Sequence, residues 1–314
     1  MTSAQESIVR LQRNIESVII GKSDAVKSAI LTLLARGHLL IEDVPGVGKT
    51  SLAQALAKSL NLEFRRIQFT SDILPSDITG VSIYDAEEKR FHFQKGPLFA
   101  EIVLADEINR STPRTQSALL EAMNEKQVSV DNATYPLKDP FMVIATQNPT
   151  ESYGAYPLPE SQLDRFMMHI SMGYPSLEDE RRLLMKNPSV NNTGNTVPVL
   201  DRDELLALQR KVNLVKIDPV LIDYILSIIT ETRNSRHLSL GVSPRGGLIL
   251  QQAARASALY EGRDYCVPDD IKQLAVSVLC HRVIPASHHS KSNRRFSDTA
   301  PLIHDIIDRV AIPI

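Results

Sequence analysis

The chain has 314 residues, of which 43% are hydrophobic and 23% charged, a composition typical of globular proteins rather than disordered or fibrous ones. The length suggests about two domains of roughly 150 residues each. The formal net charge of −2 gives no overall basic excess of the kind carried by dedicated nucleic-acid-binding proteins. The two cysteines, Cys266 and Cys280, form no CxxC pair and predict no disulfide framework.

The amino-terminal segment lacks the apolar stretch of a signal peptide. The most apolar run, residues 29–41, is interrupted by Arg36, Gly37 and His38. A membrane-spanning helix needs about 20 apolar residues. These features predict a soluble, cytoplasmic protein without membrane insertion.

Apolar residues at helical spacing predict two helices within residues 8–34, with a turn at Gly21 between them. Short apolar runs and amphipathic segments then alternate along the chain. Buried strands are predicted at residues 38–42, 64–69, 102–105, 141–146 and 166–170, and helices at residues 49–60 and 113–123. Strands that alternate with helices indicate an α/β fold with a parallel sheet covered on both faces.

Two stretches break this alternation. Residues 81–84 and 90–94 flank a charged tip at residues 85–89, and this pattern predicts a β-hairpin. Residues 127–137 predict a second hairpin. The alternative for both stretches is an ordinary solvated loop.

The sequence becomes polar at residues 187–195, which predicts a linker. Four amphipathic helices are predicted after it, and Asp or Pro stands near their starts, as helix entry favours. They cover residues 201–212, 219–232, 244–261 and 268–279. The predicted organisation is therefore two domains, residues 1–194 and residues 195–314, of which the second is mostly helical.

A glycine-rich loop, D-V-P-G-V-G-K-T-S at residues 43–51, lies between a predicted strand and a predicted helix. Glycines let backbone N–H groups surround phosphates, and the helix N-terminus adds a favourable dipole. By the P-loop pattern, Lys49 reaches the β and γ phosphates of ATP and Thr50 holds Mg²⁺. The strict pattern has glycine where this chain has Asp43. The predicted nucleotide contacts are Pro45, Gly46, Val47, Gly48, Lys49, Thr50 and Ser51.

Polar residues follow the third and fourth strands of the predicted sheet. Asp106 and Glu107 follow the third strand, at the edge where parallel sheets bind ligands. Asp106 is predicted to complete the Mg²⁺ site with Thr50, and Glu107 to activate the attacking water as general base. Asn148, after the fourth strand, is predicted to position that water, and the alternative is a turn residue before Pro149.

Two arginines stand in distinctive contexts, Arg165 in Q-L-D-R-F and Arg245 in G-V-S-P-R at the start of a predicted helix. A guanidinium near the γ phosphate stabilises charge in the transition state of phosphoryl transfer. On the residues alone, a solvated surface charge is the more usual role of such an arginine.

Cys280 and His281 are followed by His288 and His289, which raises the alternative of a metal site. Their spacing matches no common zinc pattern. Buried or inert thiols in a reducing compartment are therefore the expected state of both cysteines.

Five segments, taken together, resemble the MoxR family of AAA+ ATPases. They occur in the family's order over essentially the whole chain, and aspartate at position 43 is itself common in that family. The segments are residues 43–50, 104–110 (L-A-D-E-I-N-R), 145–149 (A-T-Q-N-P), 159–166 (P-E-S-Q-L-D-R-F) and 242–246 (V-S-P-R-G).

The resemblance implies a five-stranded parallel αβα nucleotide-binding core at residues 1–194 and a small all-helical lid at residues 195–314. The hairpins at 81–94 and 127–137 resemble the helix-2 insert and the pre-sensor-1 hairpin of the related clade. Residues 18–22 would lie near the adenine.

The resemblance also implies a ring, usually a hexamer. Arg165 would be an arginine finger that reaches the nucleotide of a neighbouring subunit. Asn148 would be sensor 1 and Arg245 sensor 2, which leaves open whether Arg245 serves its own subunit's nucleotide or a neighbour's.

Family members act as chaperone-like ATPases on protein clients, often with partners that contain a von Willebrand factor A domain. The first alternative is a motor subunit of a metal chelatase, which would share the nucleotide site. The second is a nucleic-acid motor, but the hairpin tips carry mixed charge at residues 87–90 and an acidic Asp131. Nucleic acid is therefore the less favoured partner.

Overall fold

The computed structural model describes residues 3–131, 133–149, 156–185, 196–286 and 296–313. The helices are α1 (Ser3–Glu16), α2 (Ser23–Leu34), α3 (Lys49–Ser59), α4 (Pro75–Thr79), α5 (Pro113–Glu125), α6 (Glu160–Leu163), α7 (Leu177–Met185), α8 (Arg202–Leu214), α9 (Pro219–Asn234), α10 (Pro244–Tyr260), α11 (Pro268–Leu279) and α12 (Phe296–Arg309). The strands are β1 (Leu39–Glu42), β2 (Phe64–Gln68), β3 (Gly80–Asp85), β4 (Arg90–Lys95), β5 (Ile102–Asp106), β6 (Gln127–Val130), β7 (Ala133–Pro136), β8 (Met142–Gln147), β9 (Met168–Ile170), β10 (Leu238–Leu240) and β11 (Ile284–Pro285).

Five strands form the central sheet in the order β2–β5–β8–β1–β9, and every pair is parallel. The strands β1, β5 and β9 are buried at every position, as expected for a sheet with helices on both faces. The predicted five-stranded parallel sheet is confirmed. The fifth strand begins at Met168 rather than at residue 166, because the Phe166 N–H donates to Leu163 O in the preceding turn.

Both predicted hairpins are present. Strands β3 and β4 pair from Gly80↔Lys95 to Asp85↔Arg90, and β6 pairs with β7. Phe93 of the first hairpin stacks on Tyr135 of the second, with ring centroids 4.0 Å apart. This contact packs the two hairpins against each other, and both rings also pack against the buried core on that side of the sheet.

The carboxy-terminal part contains the four predicted helices as α8 to α11, and two features that the sequence analysis does not predict. These features are α12 and a two-stranded antiparallel ribbon of β10 and β11. The amino-terminal helices α1 and α2 share one hydrophobic core with α8 to α11. The predicted linker at residues 187–195 lies outside the described residues, and the domain limits remain a prediction.

His38, directly before β1, links the sheet to α5. Its Nδ1 accepts from Val143 N at 3.0 Å, so Nε2 carries the proton and faces Met123 O at 3.2 Å. Burial lowers the pKa of His38 from 6.5 to about 4. Since the unfolded chain then binds the proton more readily, the free energy of unfolding is highest above pH 6.5 and falls as the pH drops towards 4.

We therefore expect His38→Gln to weaken this pH dependence. A shift of one pKa unit corresponds to about 1.4 kcal/mol, so at pH 5 the wild type should have lost about 2 kcal/mol relative to the variant. Denaturant unfolding from pH 7.5 to pH 5 measures the difference. The matched control is His92→Gln on the exposed hairpin. If the free energy of unfolding changed with pH equally in the wild type and in His38→Gln, the lowered pKa of His38 would not be the cause of the pH dependence.

Candidate nucleotide-binding site

The glycine-rich loop follows β1 and leads directly into α3, which begins at Lys49. Gly46 and Gly48 have φ values of +87° and +98°, a region that side chains with a Cβ rarely adopt. A Cβ at either glycine would meet open space, so their backbone borders a free cradle beside a helix N-terminus. This arrangement fits a polyphosphate group.

Asp43 explains the departure from the strict loop pattern. Its Oδ2 accepts hydrogen bonds from Met172 N and Gly173 N, both at 2.6 Å, and from Ser171 Oγ at 3.0 Å. From the other side, Lys22 Nζ donates to the carbonyl oxygens of Met172 and Gly173 at 2.8 Å. The buried carboxylate therefore anchors the start of the loop to the segment that follows β9, which a glycine could not do.

The cationic and hydroxyl residues of the loop lie at the start of α3. Lys49 is buried, and its Nζ donates to Asp43 O at 2.7 Å. Thr50 and Ser51 are half-buried in the first turn of the helix, Val47 is half-buried, and Pro45 is exposed. A lysine, a hydroxyl and the backbone N–H groups of a loop at a helix N-terminus are the groups that bind Mg²⁺ and the phosphates of ATP in P-loops.

Asp106 ends β5 and holds two partners. Its Oδ1 accepts from the Thr146 hydroxyl at 2.6 Å. Its Oδ2 pairs with Arg66 of the neighbouring strand β2, with Nη2 at 2.6 Å and Nε at 3.1 Å. The carboxylate proposed for the Mg²⁺ shell is therefore neutralised by a guanidinium in this structure.

Glu107 has a left-handed backbone conformation, with φ 57° and ψ 47°. Such a conformation costs about 1–2 kcal/mol outside glycine, and residues of this kind cluster at active sites. The Thr146 hydroxyl accepts from Glu107 N at 2.9 Å, while Gln68 and Arg110 donate to Glu107 Oε2 at 2.9 and 3.0 Å. One threonine thus fixes both carboxylate residues, and two donors hold the predicted general base.

Asn148 follows β8 and is 4% exposed. The neighbouring strand end contacts the phosphate loop directly, since Asp43 N donates to Gln147 O at 3.1 Å. The structure therefore places the loop, Asp106, Glu107 and Asn148 at one edge of the sheet, where the sequence predicts them.

Arg165 lies at the opposite edge. It precedes β9, whose first residue Met168 pairs with Leu39, the first residue of the parallel strand β1. The phosphate loop follows the last residue of β1. Arg165 Nη1 donates to Leu120 O of α5 at 2.6 Å, and its Nε is buried without a hydrogen-bond partner among the described residues.

Arg245 lies beside Arg165 rather than beside the phosphate loop. Its Nε is 3.5 Å from Asp164 Oδ2, and its Nη2 donates to Asn124 Oδ1 of α5 at 3.2 Å. The other oxygen of Asp164 accepts from the buried Arg282 Nε at 2.8 Å. Burial lowers the pKa of Arg282 to about 10, against the opposing effect of the Asp164 charge.

A cavity of about 520 Å³ lies beside the segment predicted to be near the adenine. Ile19, Ile20 and Gly21 line it together with Asp179 and Arg182 of α7. Its volume falls within the range of about 300–1,000 Å³ that small-molecule sites occupy. The adenine assignment remains a prediction.

The sequence patterns assign no role to Arg66, Gln68, Thr146 and Arg110, which hold Asp106 or Glu107, or to Arg282, which holds Asp164. The sequence does carry a sign of Arg66 and Gln68. They are polar residues two positions apart in a predicted strand, so their side chains lie on the same face of the sheet. Thr146 and Arg282 act through contacts between distant segments, which no local pattern shows.

Comparison with known proteins agrees with this arrangement. Residues 38–168 match the model of the ATPase family associated with various cellular activities (AAA), and residues 230–300 match the AAA lid domain. The Chaperone MoxR1 of Mycobacterium tuberculosis is 40% identical over 283 residues, which cover 86% of this chain and 74% of that protein. The chain belongs to the MoxR family of AAA+ ATPases.

Two further relatives cover nearly the full length of this MoxR-family chain. The uncharacterized protein YeaC of Bacillus subtilis is 47% identical over 96% of this chain and 93% of its own. A crystal structure of a candidate ATPase from Cytophaga hutchinsonii has a TM-score of 0.89 at 36% identity and covers 99% of this chain and 96% of its own. Among the described residues, no helix has the length and apolar character needed to cross a membrane.

Proposed function

We propose that this MoxR-family protein hydrolyses ATP with Mg²⁺ as cofactor. The observation that carries the proposal is the convergence of the open glycine loop, Asp106 and Glu107 at one edge of the sheet. Lys49 and the loop N–H groups bind the β and γ phosphates, and Thr50 and Asp106 hold the Mg²⁺ shell. When bound there, Mg²⁺ would supply positive charge that offsets the charge on the transferred phosphoryl group.

The remaining residues act on the water and its proton. Glu107 accepts the proton of the attacking water as general base, and Asn148 orients that water. Since Gln68 and Arg110 hold the Glu107 carboxylate in this structure, Glu107 must leave at least one of these donors before it can reach a water at the γ phosphate.

The active unit is a ring, because the two arginines are misplaced for their own nucleotide. Arg165 lies at the amino ends of the strands, whereas the phosphate loop of its own chain lies at their carboxyl ends. Arg245 contacts Asp164, the residue that precedes Arg165. Both guanidiniums would therefore serve the nucleotide of a neighbouring subunit. This geometry favours the neighbour's nucleotide as the target of Arg245, which the sequence leaves open.

The ring would remodel protein clients in the cytoplasm, with a von Willebrand factor A-domain partner that supplies specificity. Two observations support a chaperone-like role, namely the name of the MoxR1 relative and the paired hairpins, which expose Ile83, Tyr84 and Phe91. Co-purification with such a partner, rather than with a porphyrin-binding protein, would separate this function from a metal-chelatase motor. Stimulation of hydrolysis by DNA would instead favour a nucleic-acid motor.

The ring is tested by light scattering of purified protein with ATP and Mg²⁺. Glu107→Gln should bind ATP without consuming it and should assemble into a hexamer. Lys49→Ala is the matched control, because it removes the phosphate contact and should leave the protein smaller under the same conditions. A Glu107→Gln protein that binds ATP and stays monomeric at every protein concentration would contradict the ring.

A further inference from the structure

Three potential metal ligands from distant parts of the chain meet in the interior. His169 comes from the edge strand β9, whereas Cys280 and His281 come from the turn that follows α11. All three are buried, and one ligand atom from each lies within 4.8 Å of the other two. The sequence pattern groups Cys280 and His281 with His288 and His289 rather than with His169, and His288 and His289 lie outside the described residues.

The two imidazoles converge on one sulfur. Cys280 Sγ lies 3.9 Å from Nδ1 of His169 and 3.9 Å from Nδ1 of His281. In a tetrahedral zinc site, Zn–S is about 2.3 Å and Zn–N about 2.0–2.1 Å, so neighbouring sulfur and nitrogen ligands lie about 3.6 Å apart. Movements of a few tenths of an ångström would therefore bring both Nδ1–Sγ pairs to this spacing.

The opposite ring nitrogens face oxygen atoms. His281 Nε2 lies 3.0 Å from Phe166 O, and His169 Nε2 lies 3.2 Å from Glu42 Oε2, off the line of a good hydrogen bond. An ionised carboxylate and a carbonyl can only accept, so they favour N–H at Nε2 and leave a lone pair on each Nδ1. Metal-ligating histidines commonly show this arrangement, with the other nitrogen turned to a carboxylate or carbonyl.

A single thiol cannot satisfy both lone pairs, because it has one hydrogen to donate. We propose that Cys280, His169 and His281 bind Zn²⁺, with Glu42 and Phe166 O orienting the two imidazoles. The cysteine would bind as thiolate and release its proton to solvent as the metal enters. A water molecule would complete the four-coordinate shell, and the Thr299 side chain, which hydrogen-bonds to Cys280, would donate to the thiolate.

The positive charge of Arg282 lies close to this cluster, since its Nη1 contacts His281 Nε2. The Asp164 carboxylate offsets this charge at 2.8 Å from Arg282 Nε. If the guanidinium instead donates to Nε2, His281 would carry its proton on Nδ1 and donate to Cys280 without a metal. Metal binding distinguishes the two arrangements.

Cobalt provides the probe, because thiolate-bound Co²⁺ gives a charge-transfer band in the near ultraviolet that oxygen-bound Co²⁺ at the nucleotide site lacks. We expect the full-length protein to bind about one Co²⁺ with this band, and Zn²⁺ to abolish it. Cys280→Ser should lose the band, and His169→Gln should weaken Co²⁺ binding at least tenfold, the lower end of the loss that disturbance of a metal shell causes.

Cys266→Ser is the matched control, because Cys266 is the other cysteine and is also buried. It should keep the band unchanged. A wild-type protein without the band at saturating Co²⁺, or a band lost equally in Cys266→Ser and Cys280→Ser, would overturn the proposal. If Cys280→Ser fails to fold, the presence or absence of the thiolate–Co²⁺ band in the wild-type protein still tests the metal site.

Discussion

Replacing Arg165 with alanine should lower the rate of ATP hydrolysis by about 10³-fold or more, within the range of about 10³–10⁵ known for arginine fingers. The guanidinium would stabilise transition-state charge on a neighbour's nucleotide, since its own phosphate loop lies at the other edge of the sheet. ATP affinity should change little, because the variant's own loop is intact. Steady-state hydrolysis and binding of a fluorescent ATP analogue measure the two effects.

Mixing variants tests whether the finger acts between chains. Rings assembled from Arg165→Ala and Glu107→Gln subunits contain some sites that combine an intact Glu107 with an intact Arg165 from the neighbour. We expect such rings to recover part of the activity that each variant lacks alone. If rings shown to contain both variants recover none, Arg165 does not act in trans. Arg114→Ala, which removes an arginine of α5 instead, is the control for loss of charge.

Replacing Glu107 with glutamine should lower hydrolysis by about 10²–10⁴-fold, the usual contribution of a general base. Glutamine keeps the size of the side chain and removes its capacity to take a proton at neutral pH. The hydrogen bond from Gln68 can be kept, because the amide oxygen also accepts. ATP binding should therefore remain, and single-turnover hydrolysis should show the loss in the chemical step.

Glu125→Gln, at the carboxyl end of α5, provides a control for the change in net charge. Its hydrolysis rate should match that of the wild type. Weaker ATP binding by Glu107→Gln, with an unchanged rate for bound ATP, would show that Glu107 contributes to affinity and not to proton transfer.

Local patterns predict most of the fold. All five strands of the sheet are predicted within two residues of their observed ends, because buried parallel strands are continuous apolar runs between polar turns. Helix α12 is missed, since Pro301 lies inside it and proline in a helix interior removes a hydrogen bond. Strands β10 and β11 have three and two residues, too few for any periodic signal.

The residues of the candidate site also fall into two groups, those that local motifs predict and those whose role depends on the folded sheet. Lys49, Asp106 and Glu107 stand in short contiguous motifs, so the sequence alone predicts them. The contacts of Asp106 with Arg66 and Thr146 depend on the register of three neighbouring strands, and that register is a property of the folded sheet. Asp43 is visible in the sequence as an anomaly, but its function depends on the position of Met172 and Gly173.

The anchoring of Asp43 gives strand β9 two functional ends. Residues 171–173, at its carboxyl end, grip the phosphate loop of their own chain, whereas Arg165 precedes its amino end. The three residues of β9 span about 10 Å at about 3.3 Å per residue. In a ring, this strand would connect the phosphate loop of its own subunit with the arginine that contacts the nucleotide of the next subunit. Nucleotide binding at one site could then be transmitted through the strand to the neighbouring site.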